Sequence, residues 1–164
     1  MVLQTGIWLE EKFAPDHGVT DIINGWGATE TGEKYVITVD RVAAFVRIRL
    51  GGFFTVDDVR DFAAAQARAY AALATARGRH ITLCDVSECK IQLQEVVEAF
   101  RGLLTDKSLM SERMAFVTGV SPAKMQIRRL IARDTCRFFE DVGSAERWLA
   151  MIECEDRPAS IKDS

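Results

Sequence analysis

RMAFVTGVSPAKMQIRRLIARDTCRFFEDVGSAERWLAMI, Arg113–Ile152, decides the fold, because it reads strand, helix, strand, helix with nearly every boundary signalled. Met114 to Thr118 is a short apolar run, and Gly119-Val120-Ser121-Pro122 turns the chain. Ser121 suits an N-cap and Pro122 the first helical position, since proline lacks the N–H that would be orphaned there. The spacing predicts a basic helix over Ala123–Arg133, a strand at Cys136–Phe139, and a second helix opening at Ser144. Ala145, Trp148, Leu149 and Ile152 fall on one face of that last helix.

Working back from this segment, Tyr35–Val39 and Phe45–Leu50 read as a hairpin. In the second strand Val46, Ile48 and Leu50 alternate with Arg47 and Arg49, the period of one buried and one solvated face. Gly51-Gly52-Phe53-Phe54 ends it, and Thr55 with Asp58 forms a capping-box-like helix start. Val59, Phe62, Ala63, Tyr70 and Leu73 give that helix an apolar face, and Gly78 suits its end. His80–Val86 is a third strand, followed by a loop at Ser87-Glu88-Cys89. Leu93, Val96, Val97, Phe100, Leu103 and Leu104 then recur at helical spacing. Strands alternating with helices imply an α/β domain over 35–152. Its sheet is mixed and mainly parallel, of about five strands with an antiparallel first strand, and carries about four helices. Residues 1–34 form an extension whose Trp8 and Trp26 argue that part of it packs, and 153–164 form a polar tail.

The 164 residues, 48% hydrophobic and 27% charged, are enough for one domain with a sizeable core. A net charge of −3 and a pI near 5.5 set no long-range attraction toward nucleic acid or anionic membrane. The first residues lack a basic start and reach Glu10 and Glu11 early, unlike a secretory leader. No apolar run approaches the roughly 20 residues that span a bilayer. Cys84, Cys89, Cys136 and Cys154 show no C-x-x-C pair, and only His17 and His80 accompany them, so no zinc site and no cofactor is implied. Cys84 and Cys136 read as small buried hydrophobes, while Cys89, near a strand exit, is the thiol to test with a reagent. The expected compartment is the reducing cytoplasm.

The phrase Val46-Arg-Ile-Arg-Leu-Gly-Gly-Phe-Phe-Thr-Val-Asp-Asp-Val59 resembles the first strand-to-helix junction of the SpoIIAA-like bacterial proteins of STAS/SEC14 type. The closing segments Arg113–Ser121, Met125–Leu130, Phe138–Asp141 and Ala145–Leu149 are similar to that group too. The resemblance covers about 35–152. It implies a SpoIIAA-like α/β domain that binds partners or ligands rather than catalysing a reaction. In the anti-sigma-factor antagonists of this superfamily a serine in an Asp-Ser motif is phosphorylated as a switch. Here the matching exit is Leu83-Cys-Asp-Val-Ser-Glu-Cys89; the Asp-Ser-Ser-Gly type of sequence is absent, and Glu88 would repel an added phosphate.

Ligands of such sheets favour the crevice at the carboxyl ends of the parallel strands. The candidate ligand-binding residues there are Phe53, Phe54, Asp85, Ser87, Ser121, Lys124 and Arg128. Phe53 and Phe54 either line a pocket or divide into one core ring and one covering the helix start. Ser121 and Lys124 either receive an anion or simply cap a helix; no P-loop pattern surrounds them. Lys124, Arg128, Arg129 and Arg133 make a docking face or a solvated one that complements the helix dipole. Asp85 is the best lone carboxylate for proton transfer, and His80 has no evident catalytic companion. The reading is a non-enzymatic regulatory or protein-interaction module, with a homodimer as one form. The alternative is a binder of a small apolar or anionic ligand such as a lipid; an enclosed apolar cavity of roughly 300 Å³ or more near Phe53 and Phe54 would favour it, and a tightly filled core would sink it.

Overall fold

The computed structural model describes residues 26–73, 78–131 and 133–153. They build one six-stranded sheet in sequential order, β1 (Trp26–Thr31), β2 (Tyr35–Asp40), β3 (Phe45–Gly52), β4 (Ile81–Cys89), β5 (Arg113–Val117) and β6 (Cys136–Phe139). The first two pairings are antiparallel and the remaining three parallel. The expected hairpin and mainly parallel α/β sheet are therefore present. The sheet also gains an edge strand, β1, from the stretch read as an extension. Trp26-Gly-Ala-Thr-Glu-Thr31 has too little apolar alternation to announce itself. The reading of residues 1–25, of Cys154 and of the tail from 154 concerns positions outside the described residues.

Four α-helices accompany the sheet among the described residues: α1 (Val56–Ala71), α2 (Gln94–Thr105), α3 (Lys124–Leu130) and α4 (Val142–Glu153). A 3-10 turn, Lys107–Leu109, follows α2. The capping box that opens α1 is reciprocal: Asp58 N–H donates to Thr55 Oγ1 and Thr55 N–H to Asp58 Oδ2. Asp58 also accepts from Lys34 Nζ at 2.6 Å, and this bond holds its carboxyl below the usual range.

Three boundaries differ from the sequence reading. Ser87, Glu88 and Cys89 belong to β4 rather than a loop, because Gly51 and Gly52 of β3 continue the ladder opposite Glu88 and Cys89. The basic helix expected over 123–133 shrinks to α3. Ser121 caps a separate turn before it, accepting from Ala123 N–H, and Ile131 turns extended after it. Helix α4 opens at Val142, two residues before Ser144, because Asp141 accepts from both the backbone N–H and the hydroxyl of Ser144.

From β3 to β6 each crossover advances one strand in the same direction, so a constant hand puts α1, α2 and α3 on one face. There Ile37, Val39, Val46, Ile48, Cys84, Val86 and Phe116 meet Phe62, Ala65, Ala69 and Val96. Helix α4 packs on the other face, where Ala145 and Leu149 meet Leu83, Ala115 and Val117. The alternation in β3 sorts as expected. Its arginines point to the α4 side, Arg47 pairing with Glu146 and Arg49 reaching Asp85 at 3.7 Å.

Glycines 119 and 102 supply a matched test. Gly119 sits at φ +54°, and a Cβ there would meet Ser87 Cβ at 3.2 Å, whereas Gly102 lies within α2 facing open space. Gly119→Ala is expected to destabilise by about 1–2 kcal/mol in urea unfolding, and Gly102→Ala to stabilise by about 0.5–1 kcal/mol. Equal effects of one sign would contradict this backbone assignment.

Candidate functional site

Helices α2 and α3 flank a cleft over the parallel strands, and about 100 Å³ of free volume lies within it. Met114, Phe116, Cys84 and Cys136 line it from the sheet. Phe100, Leu103 and Leu104 come from α2, Ile127 and Leu130 from α3, and Phe62 and Gln66 from α1. Leu103, Leu104, Ile127 and Leu130 are only half-buried, so the cleft communicates with solvent between the two helices.

Two glutamines brace the cleft at the carboxyl ends of the strands. Gln92 N–H donates to Gln126 Oε1 and Gln126 Nε2 donates to Gln92 O, both at 2.9 Å. The Gln92 side chain accepts from Phe54 N–H at 2.8 Å and donates to the carbonyls of Gly52 and Lys90. Ser121 Oγ adds a buried bond to Cys89 O at 2.7 Å. The exits of β3, β4 and β5 are thus tied by side chains that add to the backbone pairing there.

A line of polar groups crosses the apolar layer beneath. Gln66 Nε2 donates to Tyr70 Oη at 2.8 Å, and Tyr70 Oη lies 3.5 Å from Thr82 Oγ1. Thr82 Oγ1 is 2.6 Å from Ser111 Oγ, which is 3.1 Å from His80 Nε2. Each hydroxyl has one proton to give. Tyr70 also reaches Ser111, so the hydroxyls form a connected cluster between Gln66 and His80 Nε2. Burial lowers the His80 pKa and favours the neutral ring. The Tyr70 phenol is pushed up, chiefly by burial. At the other end Gln66 Oε1 is buried and has no hydrogen-bond partner among the described residues. Gln66 itself is 5% exposed and lines the cleft.

The residues singled out from the sequence lie elsewhere. Phe54 is a core ring, edge-on to Phe100 at 5.3 Å, while Phe53 is 64% exposed, and neither lines the cleft. Asp85 and Ser87 come together on the α4 side of the sheet, Ser87 Oγ and N–H both donating to Asp85 Oδ1. Lys124 pairs with Glu140 at 3.1 Å, and Arg128 lies over the Phe138 ring at 5.4 Å. Ser121 serves the rim. Cys89 is no reactive thiol: it is buried, and burial pushes its pKa up to about 12. Cys84 is held well above the ordinary range by the same cause. Among the described residues no group of three His, Cys, Asp or Glu side chains stands together as a metal site.

The sequence did carry a sign of the thread. Gln66 falls midway between Phe62 and Tyr70 at spacing four, a polar residue on the apolar stripe of α1. Gln92 and Gln126 had no such mark, since their roles arise only when the segment after β4 meets α3 and the exit of β3.

In fold the chain is similar to the crystal structure of an uncharacterised protein from the DUF3478 family with a SpoIIAA-like fold, from Shewanella loihica PV-4. The TM-score is 0.54, with 75% of this chain and 99% of that one covered at 17% sequence identity. The chain has a SpoIIAA-like fold; at that identity the likeness carries no activity. No family model and no curated protein matches it.

Because His80 is held below the ordinary histidine value of 6.5, the unfolded chain binds its proton first as pH falls. Its contribution to stability is complete above pH 6.5 and is lost as pH falls from there through the folded-state pKa. Urea midpoints between pH 8 and pH 5 should decline in wild type and flatten in His80→Gln. An unchanged slope in the variant would show that His80 is not buried neutral.

Proposed function

We propose that this chain is a non-enzymatic binding module that holds a small apolar or amphipathic ligand in the α2–α3 cleft. The observation that carries the reading is a solvent-connected apolar cleft of about 100 Å³. The volume is smaller than the several hundred cubic ångströms usual for a drug-sized ligand. It suits a small ring or the end of a chain, with longer ligands emerging between α2 and α3. The absence of carboxylate and histidine among the described lining residues, together with thiols raised by burial, supports binding rather than proton transfer or nucleophilic attack.

Methionines offer a direct readout. Met110 and Met114 line the cleft, while Met125 and Met151 are exposed elsewhere. With methyl-labelled methionine, titration with toluene should shift Met110 and Met114 saturably and leave Met125 and Met151 in place. No shift at Met110 and Met114 up to the aqueous solubility of toluene would defeat the reading.

A second reading, as a protein-interaction module, draws on a separate feature. Phe53, Ile91, Leu93, Val120 and Met125 are all more than half exposed, and they follow the carboxyl ends of β3, β4 and β5. Such a collection of apolar side chains is typical of association surfaces. Its simplest occupant is a second copy of the chain. Light scattering should then give a mass that rises toward the dimer with concentration, and Leu93→Asp with Val120→Asp should return it to the monomer. A monomer mass at every concentration would remove the dimer.

A further inference from the structure

We infer that the ligand of the cleft carries a hydrogen-bond donor, a hydroxyl or an N–H, on the end that reaches α1, and that Gln66 Oε1 accepts it. The inference rests on the cleft being a binding site and goes beyond it by naming the chemistry at its inner end. Three observations converge. Gln66 lines the cleft and is 95% buried, taking its exposure of 5% from the whole. Its Nε2 is committed to Tyr70 at 2.8 Å. Its Oε1 has no partner among the described residues, although a buried unpaired acceptor is strongly disfavoured.

The contact with Tyr70 determines which atom is left over. Gln66 Nε2 is the atom on Tyr70 Oη, at 2.8 Å, and Oε1 has no partner among the described residues. The group offered to the cleft is therefore an acceptor. A purely apolar ligand would leave it unpaired, and a ligand whose only polar atom is an ether or carbonyl oxygen would oppose acceptor to acceptor. An alcohol, a phenol or an amide N–H on an apolar body satisfies it. Discrimination of this kind exceeds what an apolar wall achieves with ligands of equal size.

The test compares three probes of similar shape, phenol, toluene and anisole, by titration of the Met110 and Met114 methyl signals in wild type and in Gln66→Leu. The expected result is a ratio of phenol to toluene affinity that falls about tenfold in the variant, with anisole gaining nothing from Gln66. A ratio unchanged by the substitution, with toluene still bound, overturns the anchor and leaves the cleft as a site. Anisole favoured as phenol is would overturn the donor assignment. No response to any probe overturns the cleft reading and the anchor together. Should Gln66→Leu not fold, the wild-type Gln66 side-chain carbonyl resonance decides. It must move with phenol and stay with toluene, and the opposite pattern refutes the proposal.

Discussion

A line of hydrogen bonds runs from Gln66 through Tyr70, Thr82 and Ser111 to His80, through a layer that is otherwise hydrocarbon. Polar atoms taken out of water must find partners, and here the hydroxyls supply one another. That requirement ties α1 to β4 and to the segment before β5. Burial favours neutral His80, and Gln66 Oε1 is left without a partner among the described residues. The surrounding apolar contacts stabilise the domain, and this line is the polar exception within them.

The sheet topology supplies the setting. Sequential crossovers place three helices over one face, and α3, at seven residues, is short. The glutamine lattice at the strand exits holds the rim in position, so the space between α2 and α3 is bounded by fixed walls at one end. The opposite face has another character, with α4 over β4 and β5 and with arginines from β3 paired to acids. Asp85 and Ser87 belong to that face, which is why they do not join the cleft although they stand at the end of a parallel strand.

Much of the fold was legible because periodicity and caps act locally. The alternation of Val46, Ile48 and Leu50, the Thr55–Asp58 box and the apolar stripes of α1, α2 and α4 each reflect interactions within a few residues. Boundaries failed where a distant partner intervened. Ser87 to Cys89 read as a loop until Gly51 and Gly52 extended the ladder, and Ser121 read as the cap of a long helix, whereas it caps a separate turn while its hydroxyl donates to Cys89 O. The cleft was the least legible part. It is formed by side chains from α1, α2, α3 and four strands, and the strand-exit rule drew attention to Phe53 and Phe54, which do not line it, rather than to Gln66, which does.

The most direct check on the polar line is the tautomer of His80, read at neutral pH from a long-range proton–nitrogen correlation spectrum and assigned with His80→Gln. A line running from Gln66 to His80 requires the proton on Nδ1 and an unprotonated Nε2 facing Ser111. A proton on Nε2, or a charged imidazolium, would mean that the line runs the other way and that the oxygen of Gln66 is not the group offered to a ligand.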